Sequence, residues 1–192
     1  MNIKLHTNFQ LKAAGEALYL TRPDNTPHDS IAAVHLRDDI TYGRHPNGTG
    51  PWKFFTIPSP GKTNTLFTGW DTFIYDKPAF SVTGGYFAAA QSLGLASVEP
   101  GVTIRYTLDG GEPSATSPAY TAPLTISSKA GQPNVLSMIQ GTATANQHTD
   151  GWKPPAGEVR KATVVRARAF RAGAPDGPVG TQIGRASCRE RV

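Results

Sequence analysis

The sequence predicts an all-β protein built from two successive stretches of short strands. Three observations carry that reading. Twenty Gly and sixteen Pro punctuate a chain of 192 residues, too many turn formers for long helices. Two segments, 102–110 and 163–171, alternate apolar and polar residues with the period of two expected of a half-buried strand. No segment approaches the roughly 20 apolar residues that span a bilayer. The length accommodates one average domain or two small ones.

Taken in order, Phe9 and Leu11 share a face before "KAAGE" turns the chain. Ala17, Tyr19 and Leu18, Leu20 then form a two-sided apolar run, as a buried strand would. "TRPDNTPHDS" holds two Pro, two Asp and one Asn and reads as loop throughout. "IAAVHL" follows as a strand with Ala32, Val34 and Leu36 in one parity. "RHPNGTGPW" is turn chemistry around Asn47-Gly48, and "IPSPGKTN" closes the region in a proline-fixed conformation. Residues 65–77, "TLFTGWDTFIYDK", carry Trp70, Phe73 and Tyr75. A flexible linker would be polar, so this segment is expected to pack on its neighbours. An exposed aromatic platform for sugar stacking is the alternative.

The second stretch is clearer. In "VTIRYTLDG" Val102, Ile104, Tyr106 and Leu108 face the core, and Asp109-Gly110-Gly111 ends the strand. In "TVVRARAFR" Val165, Ala167 and Ala169 point one way, with Val164, Arg166, Arg168 and Phe170 pointing the other. Leu93 with Leu95, and Leu124 with Ile126 behind Pro123, supply further short strands of a small β-sandwich. The insert from Lys129 to Gly157 is longer than an ordinary connection, and "NVLSMI" within it reads as one helical turn or a short strand.

Chemistry is sparse. There is no GxSxG, HExxH, P-loop, GxGxxG or Cys-His spacing. His6, His28, His35, His45 and His148 are isolated in sequence, so no metal site is expected. Asp29, Asp38 and Asp39 lack calcium-loop spacing and read as turn and surface residues. Asp109 and Glu112 flank a solvated turn, which supplies nothing to separate two carboxyl pKa values for acid–base work. Arg160, Arg166, Arg168 and Arg171 read as a solvated strand face that guards an edge. The net charge is +5, but the last ten residues hold three of nineteen basic side chains and one of fourteen acidic ones. That leaves +3 on residues 1–182, too mild for a nucleic-acid footprint. The only cysteine, Cys188, also lies in that tail, so the body of the chain cannot form a disulfide.

Two stretches resemble known families. Residues 1–64 resemble the C-terminal half of a lamin-tail-type domain through "LHTNFQLKAAGEALYL", Asp29-Ser30-Ile31, "ITYGRHPNGTGPW" and "PSPGKTN". Tyr42-Gly43-Arg44, Asn47-Gly48 with Trp52, and Pro60-Gly61 before Asn64 are the most specific parts. The family's opening strands, with an Asn-Glu step and a Trp-Ile-Glu-Leu run, have no counterpart here. Residues 78–182 resemble the chitobiase C-terminal type of β-sandwich through "FSVTGGYF", "IRYTLDGGEPSATSPAYTAPL" and "VVRARAF". The insert "GQPNVLSMI…GWKPPAGEV" is similar to the version found in secreted proteins with a CotH-type kinase domain. Residues 183–192, "IGRASCRERV", are identical to an in-frame reading of a widely used short-read sequencing adapter, and are set aside as a non-native tail.

The resemblance implies an all-β fold: a partial lamin-tail immunoglobulin-like sandwich over 1–64, an aromatic-containing linker over 65–77, and a second immunoglobulin-like sandwich over 78–182 lacking most of its last strand. It implies non-catalytic accessory modules (spacer, docking or interaction) of a secreted or cell-surface bacterial protein. The CotH-type kinase domain and the signal peptide would lie outside this stretch. Expected partners are other domains of the parent chain and a cell-surface protein or polysaccharide, with no nucleic acid, membrane, cofactor, metal or catalytic residue. The alternative is a carbohydrate- or cell-wall-binding module of an extracellular enzyme, stacking sugar on Trp70, Tyr75, Tyr86 or Trp152.

Overall fold

The computed structural model of the chain describes residues 10–12, 14–139 and 153–186. Within them the secondary structure is β-strand plus two 3-10 turns, at Asn64–Leu66 and Leu136–Met138. The all-β prediction holds. The chain divides into two compact units, the first containing residues 1–75 with 173–175, the second 76–172 with 176–192.

The first unit contains two antiparallel ribbons. In one, β1 (Leu18–Thr21) pairs with β2 (Pro27–Ile31), with an irregular step between Leu20 and Thr21. The turn between them is closed by Asp24, whose Oδ1 accepts the Thr26 backbone N–H at 2.9 Å and the Thr26 hydroxyl at 2.6 Å. Asn25 takes a φ of 64° there, a conformation Asn tolerates better than most residues. Two expectations are corrected here. The run read as loop to Ser30 is loop only at 22–26, because Pro27 opens the strand, where a missing N–H costs no ladder bond. The strand expected in "IAAVHL" stops at Ile31. Nor is β1 buried: Tyr19 is 73% and Leu20 59% exposed. Apolar pattern produces burial only where a second layer faces the ribbon, and β1–β2 joins no further strand among the described residues.

The other ribbon pairs β3 (Thr41–Arg44) with β4 (Trp52–Phe55) around the Asn47-Gly48 loop. Its core partners come from further along the chain. Phe54 and Trp70 exchange two backbone hydrogen bonds of 2.9 Å, and Phe73 and Ile74 are fully buried with Phe55 and Ile40. Residues 65–75 therefore belong to the first unit and give it two core side chains, Phe73 and Ile74, while Leu66 stays 69% exposed.

The second unit is a two-layer sandwich. One layer is a four-stranded sheet in the order β6 (Gly85–Phe87), β12 (Val179–Ala186), β11 (Thr163–Phe170), β9 (Thr103–Thr107). The other is formed by the pairs β5 (Ala79–Phe80) with β8 (Leu95–Ala96) and β7 (Gln91–Leu93) with β10 (Leu124–Ile126). The alternation of β11 is observed as read, with Thr163, Val165, Ala167 and Ala169 buried and the intervening residues half-buried. Leu93, Ile126 and Val165 form one core cluster; Leu95, Ile104 and Ala167 form the next, with Phe80 and Leu124 packed on both. Leu93 and Leu95 face the same core although the chain changes partner between them. Gly94 makes that switch, donating its N–H to Ser81 Oγ at 2.7 Å and accepting from the Ser81 N–H at 2.9 Å. Leu108, expected in the core, is 41% exposed because β9 ends at Thr107.

The last strand is longer than predicted. It was expected to have barely begun by residue 182, yet β12 runs to Ala186. Ile183 lies opposite Val164, and Gly184 lies between Thr163 on one side and Gly85 on the other. A β-ladder is made by backbone groups, so it can continue through Ile183–Ala186 whatever the side chains there. The segment set aside as outside the fold thus takes part in it up to Ala186.

Candidate functional site

The first unit presents the most developed surface chemistry, and it follows from strand parity. Directly opposed pairs Tyr42–Phe54 and Arg44–Trp52 put four long side chains on one face of the β3–β4 ribbon. Tyr42 stacks on Trp52 at 5.4 Å between centroids and leans on Phe54 at 4.5 Å. The series continues from Phe54 to Phe73 at 4.7 Å, to Tyr75 at 4.1 Å, and ends on His35 at 5.2 Å. Only Phe73 is fully buried; Tyr42, Trp52, Phe54 and Tyr75 are half-buried and His35 is exposed. At the other end the Arg44 guanidinium lies over the Trp52 ring at 4.7 Å, within cation–π range. Arg44 also donates to Asp29 Oδ1 at 2.8 Å and to the Gly50 carbonyl at 3.1 Å. The Arg44 hydrogen bond, helped by the Ser30 backbone N–H, holds the Asp29 carboxyl below the usual carboxylate range. The result is a row of part-exposed rings capped by a fixed ion pair.

Behind this face the three motifs singled out in the sequence converge on Asn64. Its Nδ2 donates to the Arg44 carbonyl at 2.9 Å, its backbone N–H to Asn47 Oδ1 at 2.8 Å, and its Oδ1 accepts from the Ser59 hydroxyl. Gly43 leaves room for it, since a Cβ there would lie 2.9 Å from Asn64 Nδ2. Gly50 is equally constrained, with a Cβ position only 2.1 Å from the His45 carbonyl. The residues 43–44, 47 and 64 therefore act as a latch that ties the hairpin loop to the 3-10 turn.

In the second unit the outward arginines are committed to structure. Arg168 donates to the Gly177 carbonyl at 2.7 Å and pairs with Glu112 at 3.2 Å and Asp176 at 3.6 Å. Arg166 donates to the Gly110 carbonyl at 3.2 Å, and Arg105, opposite Arg168, donates to the Ser117 carbonyl. These bonds resolve an otherwise repulsive cross-strand Arg pair. They also give Glu112 a bracing role, and Asp109 closes its turn by accepting the Gly111 N–H at 2.8 Å. Among the described residues no three His, Cys, Asp or Glu side chains gather where a metal could be held. No helix among them is long and apolar enough to cross a membrane.

The four predicted stacking residues separate. Trp70 and Tyr75 both lie half-buried in the first unit, Trp70 held by its backbone pairing to Phe54 and Tyr75 within the ring series. Tyr86 is 75% exposed on β6 of the second unit. Trp152 lies outside the described residues, as do His6, His148 and Cys188. Sequence reading missed Tyr42, Trp52 and Phe54 as a group. The available signal was the i, i+2 spacing of Tyr42 with Arg44 and of Trp52 with Phe54 on either side of an Asn-Gly turn.

The fold of the second unit defines a class, the immunoglobulin-like β-sandwich module. Within it, residues 82–132 match the family model of the chitobiase/beta-hexosaminidase C-terminal domain. The match takes in β6 to β10 and the Asp109-Gly110-Gly111 turn, and the second unit is similar to that domain. No curated protein and no solved structure matches the chain significantly.

Proposed function

We propose that the chain is a pair of non-catalytic accessory modules from a secreted or cell-surface multidomain bacterial protein, whose CotH-type kinase domain lies outside this stretch. The modules act as spacers and docking elements, in contact with neighbouring domains and a surface protein or polysaccharide. The observation that carries the accessory-module part of this reading is the family match over residues 82–132, on a domain type named for its position at the C-terminus of chitobiase and beta-hexosaminidase. The kinase parent rests on the resemblance of the insert. Two further features support the proposal. The residues that carry the lamin-tail-type resemblance, Tyr42-Gly43-Arg44, Asn47-Gly48 and Asn64, meet at one latch in the folded chain. The polar groups most suggestive of chemistry, Asp109, Glu112 and the β11 arginines, are occupied in bracing turns and strands. The natural gene tests it: a signal peptide encoded upstream and a CotH-type kinase domain downstream are expected, and a glycosidase domain in their place would overturn the kinase assignment.

A second reading, carbohydrate binding, is favoured by the ring series Trp52–Tyr42–Phe54 and the Arg44–Asp29 cap. Sugar stacking draws on part-exposed rings with an apolar body and a polar edge. Retention of the chain on insoluble chitin, cellulose or peptidoglycan, lost in Trp52→Ala with folding intact, is the expected result. Equal elution of wild type and variant from all three would remove this reading.

A further inference from the structure

The Asn47-Gly48 pair is part of the latch, yet its chemistry is not exhausted by that role. Residues 46–49 are all exposed. Gly48 has a φ of 80°, and a Cβ built there would meet nothing within 4 Å. Of the seven asparagines in the chain, Asn47 alone precedes glycine; the others precede Ile, Phe, Thr, Val or Gln, whose side chains shield the following backbone nitrogen. Asn47 Oδ1 already accepts a backbone N–H, that of Asn64, at 2.8 Å.

We propose that Asn47 is a site of spontaneous self-modification in the folded protein, and that the modification controls the Asn64 latch. The Gly48 backbone nitrogen, losing its proton to hydroxide or buffer base, attacks Asn47 Cγ. Negative charge develops on Oδ1, where the Asn64 N–H is already placed to stabilise it, as a single oxyanion donor does. The Cγ–Nδ2 bond then breaks and the nitrogen leaves as ammonia after taking up a proton, closing a five-membered succinimide. Water adds to one of the two imide carbonyls and reopens the ring. No oxidant or cofactor enters the balance.

The two products affect the latch differently. Opening toward aspartate leaves a side-chain oxygen facing the Asn64 N–H, now as a charge-assisted acceptor. Opening toward isoaspartate routes the main chain through the former side chain and adds a backbone atom to the loop; the oxygen on Cγ becomes a main-chain carbonyl, displaced from the Asn64 N–H. Asn64 also holds the Arg44 carbonyl at 2.9 Å, so the isoaspartyl form loosens the base of the residue that caps the ring series.

The test uses the full chain, incubated folded in mildly alkaline buffer beside a sample unfolded in denaturant. Tryptic cleavage after Arg44 and Lys53 releases His45–Lys53, in which the amide-to-acid mass change and isoaspartyl methyltransferase labelling are read. Conversion of Asn47 in the folded chain at least as fast as in the unfolded one, with Asn25, Asn64 and Asn134 intact, is expected. Several-fold protection of Asn47 by the fold would overturn the site. The latch is tested separately by hydrogen exchange of the Asn64 amide: faster exchange in the isoaspartyl fraction supports it, and unchanged exchange refutes it.

Discussion

Asp29 shows how much one residue depends on its partner. Its sequence neighbours mark it as surface, and it is indeed solvated, yet Arg44 fifteen positions away lowers its pKa. A carboxyl depressed in the folded state stabilises the fold above the ordinary carboxylate range, about pH 4, and loses that contribution as pH falls through the depressed value. Denaturant midpoints measured against pH should therefore fall more steeply in acid for wild type than for Asp29→Asn. Parallel acid limbs would show that the pair does not contribute. Single residues were the least legible level. The turn roles of Asp109, Gly110 and Asn47 followed from local chemistry, whereas the ring face of Tyr42, Trp52 and Phe54 required knowing which residues stand opposite each other across β3 and β4.

Strand β12 offers a sharper test at the level of an element, because two of its glycines meet different surroundings. A Cβ on Gly180 would lie 2.6 Å from the Phe80 ring and 3.1 Å from the Pro78 carbonyl, so Gly180→Ala is overpacked. A Cβ on Gly184 would sit 3.4 Å from Phe87 and 3.8 Å from Ile126, in ordinary contact. It would enter a small apolar cavity of about 20 Å³ lined by Val82, Phe87, Leu93, Ile126 and Val165. We expect Gly180→Ala to cost about 1–3 kcal/mol. Gly184→Ala should gain up to about 1 kcal/mol from the buried methyl. Thermal melts of the two variants should move in opposite directions; a shift of the same sign in both would show that the packing around β12 is misjudged. Elements with a two-residue period facing a real core, β9 and β11, were legible almost residue by residue. Ala32–Leu36 had the same local pattern and formed no strand, because pattern without a pairing partner leaves the backbone ladder unmade.

At the scale of the whole molecule the two units differ in how their strands are supported. In the second, β11 lies between β9 and β12, and its buried side chains face a second layer. In the first, β1 and β2 pair only with each other, and Leu18, Tyr19 and Leu20 remain exposed. A lone two-stranded ribbon is marginal in water, and opening free energies within one chain span a wide range. Hydrogen exchange on the full chain should find the amides of Leu18–Ile31 the first of the strands to exchange and those of Val165–Ala169 among the last. Comparable protection in both segments would contradict this. Exposed apolar strands also invite edge-to-edge association.

Local sequence determined the all-β class, the turns and the core parity of the strongest strands, since these depend on backbone preferences and a period of two. It also carried the second unit's likeness to the chitobiase C-terminal type, which the family match over residues 82–132 supports. Tertiary structure decided the rest. Phe73 and Ile74 became core because Trp70 pairs with Phe54 and Phe73 packs on its ring. Ile183–Ala186 became strand because β11 offered backbone groups to Ile183 and Gly184, and β6 offered them to Gly184–Ala186. The aromatic face and the Asn64 latch arose from contacts between residues far apart in the chain. Such contacts cost loop-closure entropy and are repaid only in the folded state, so no local stretch of sequence announces them.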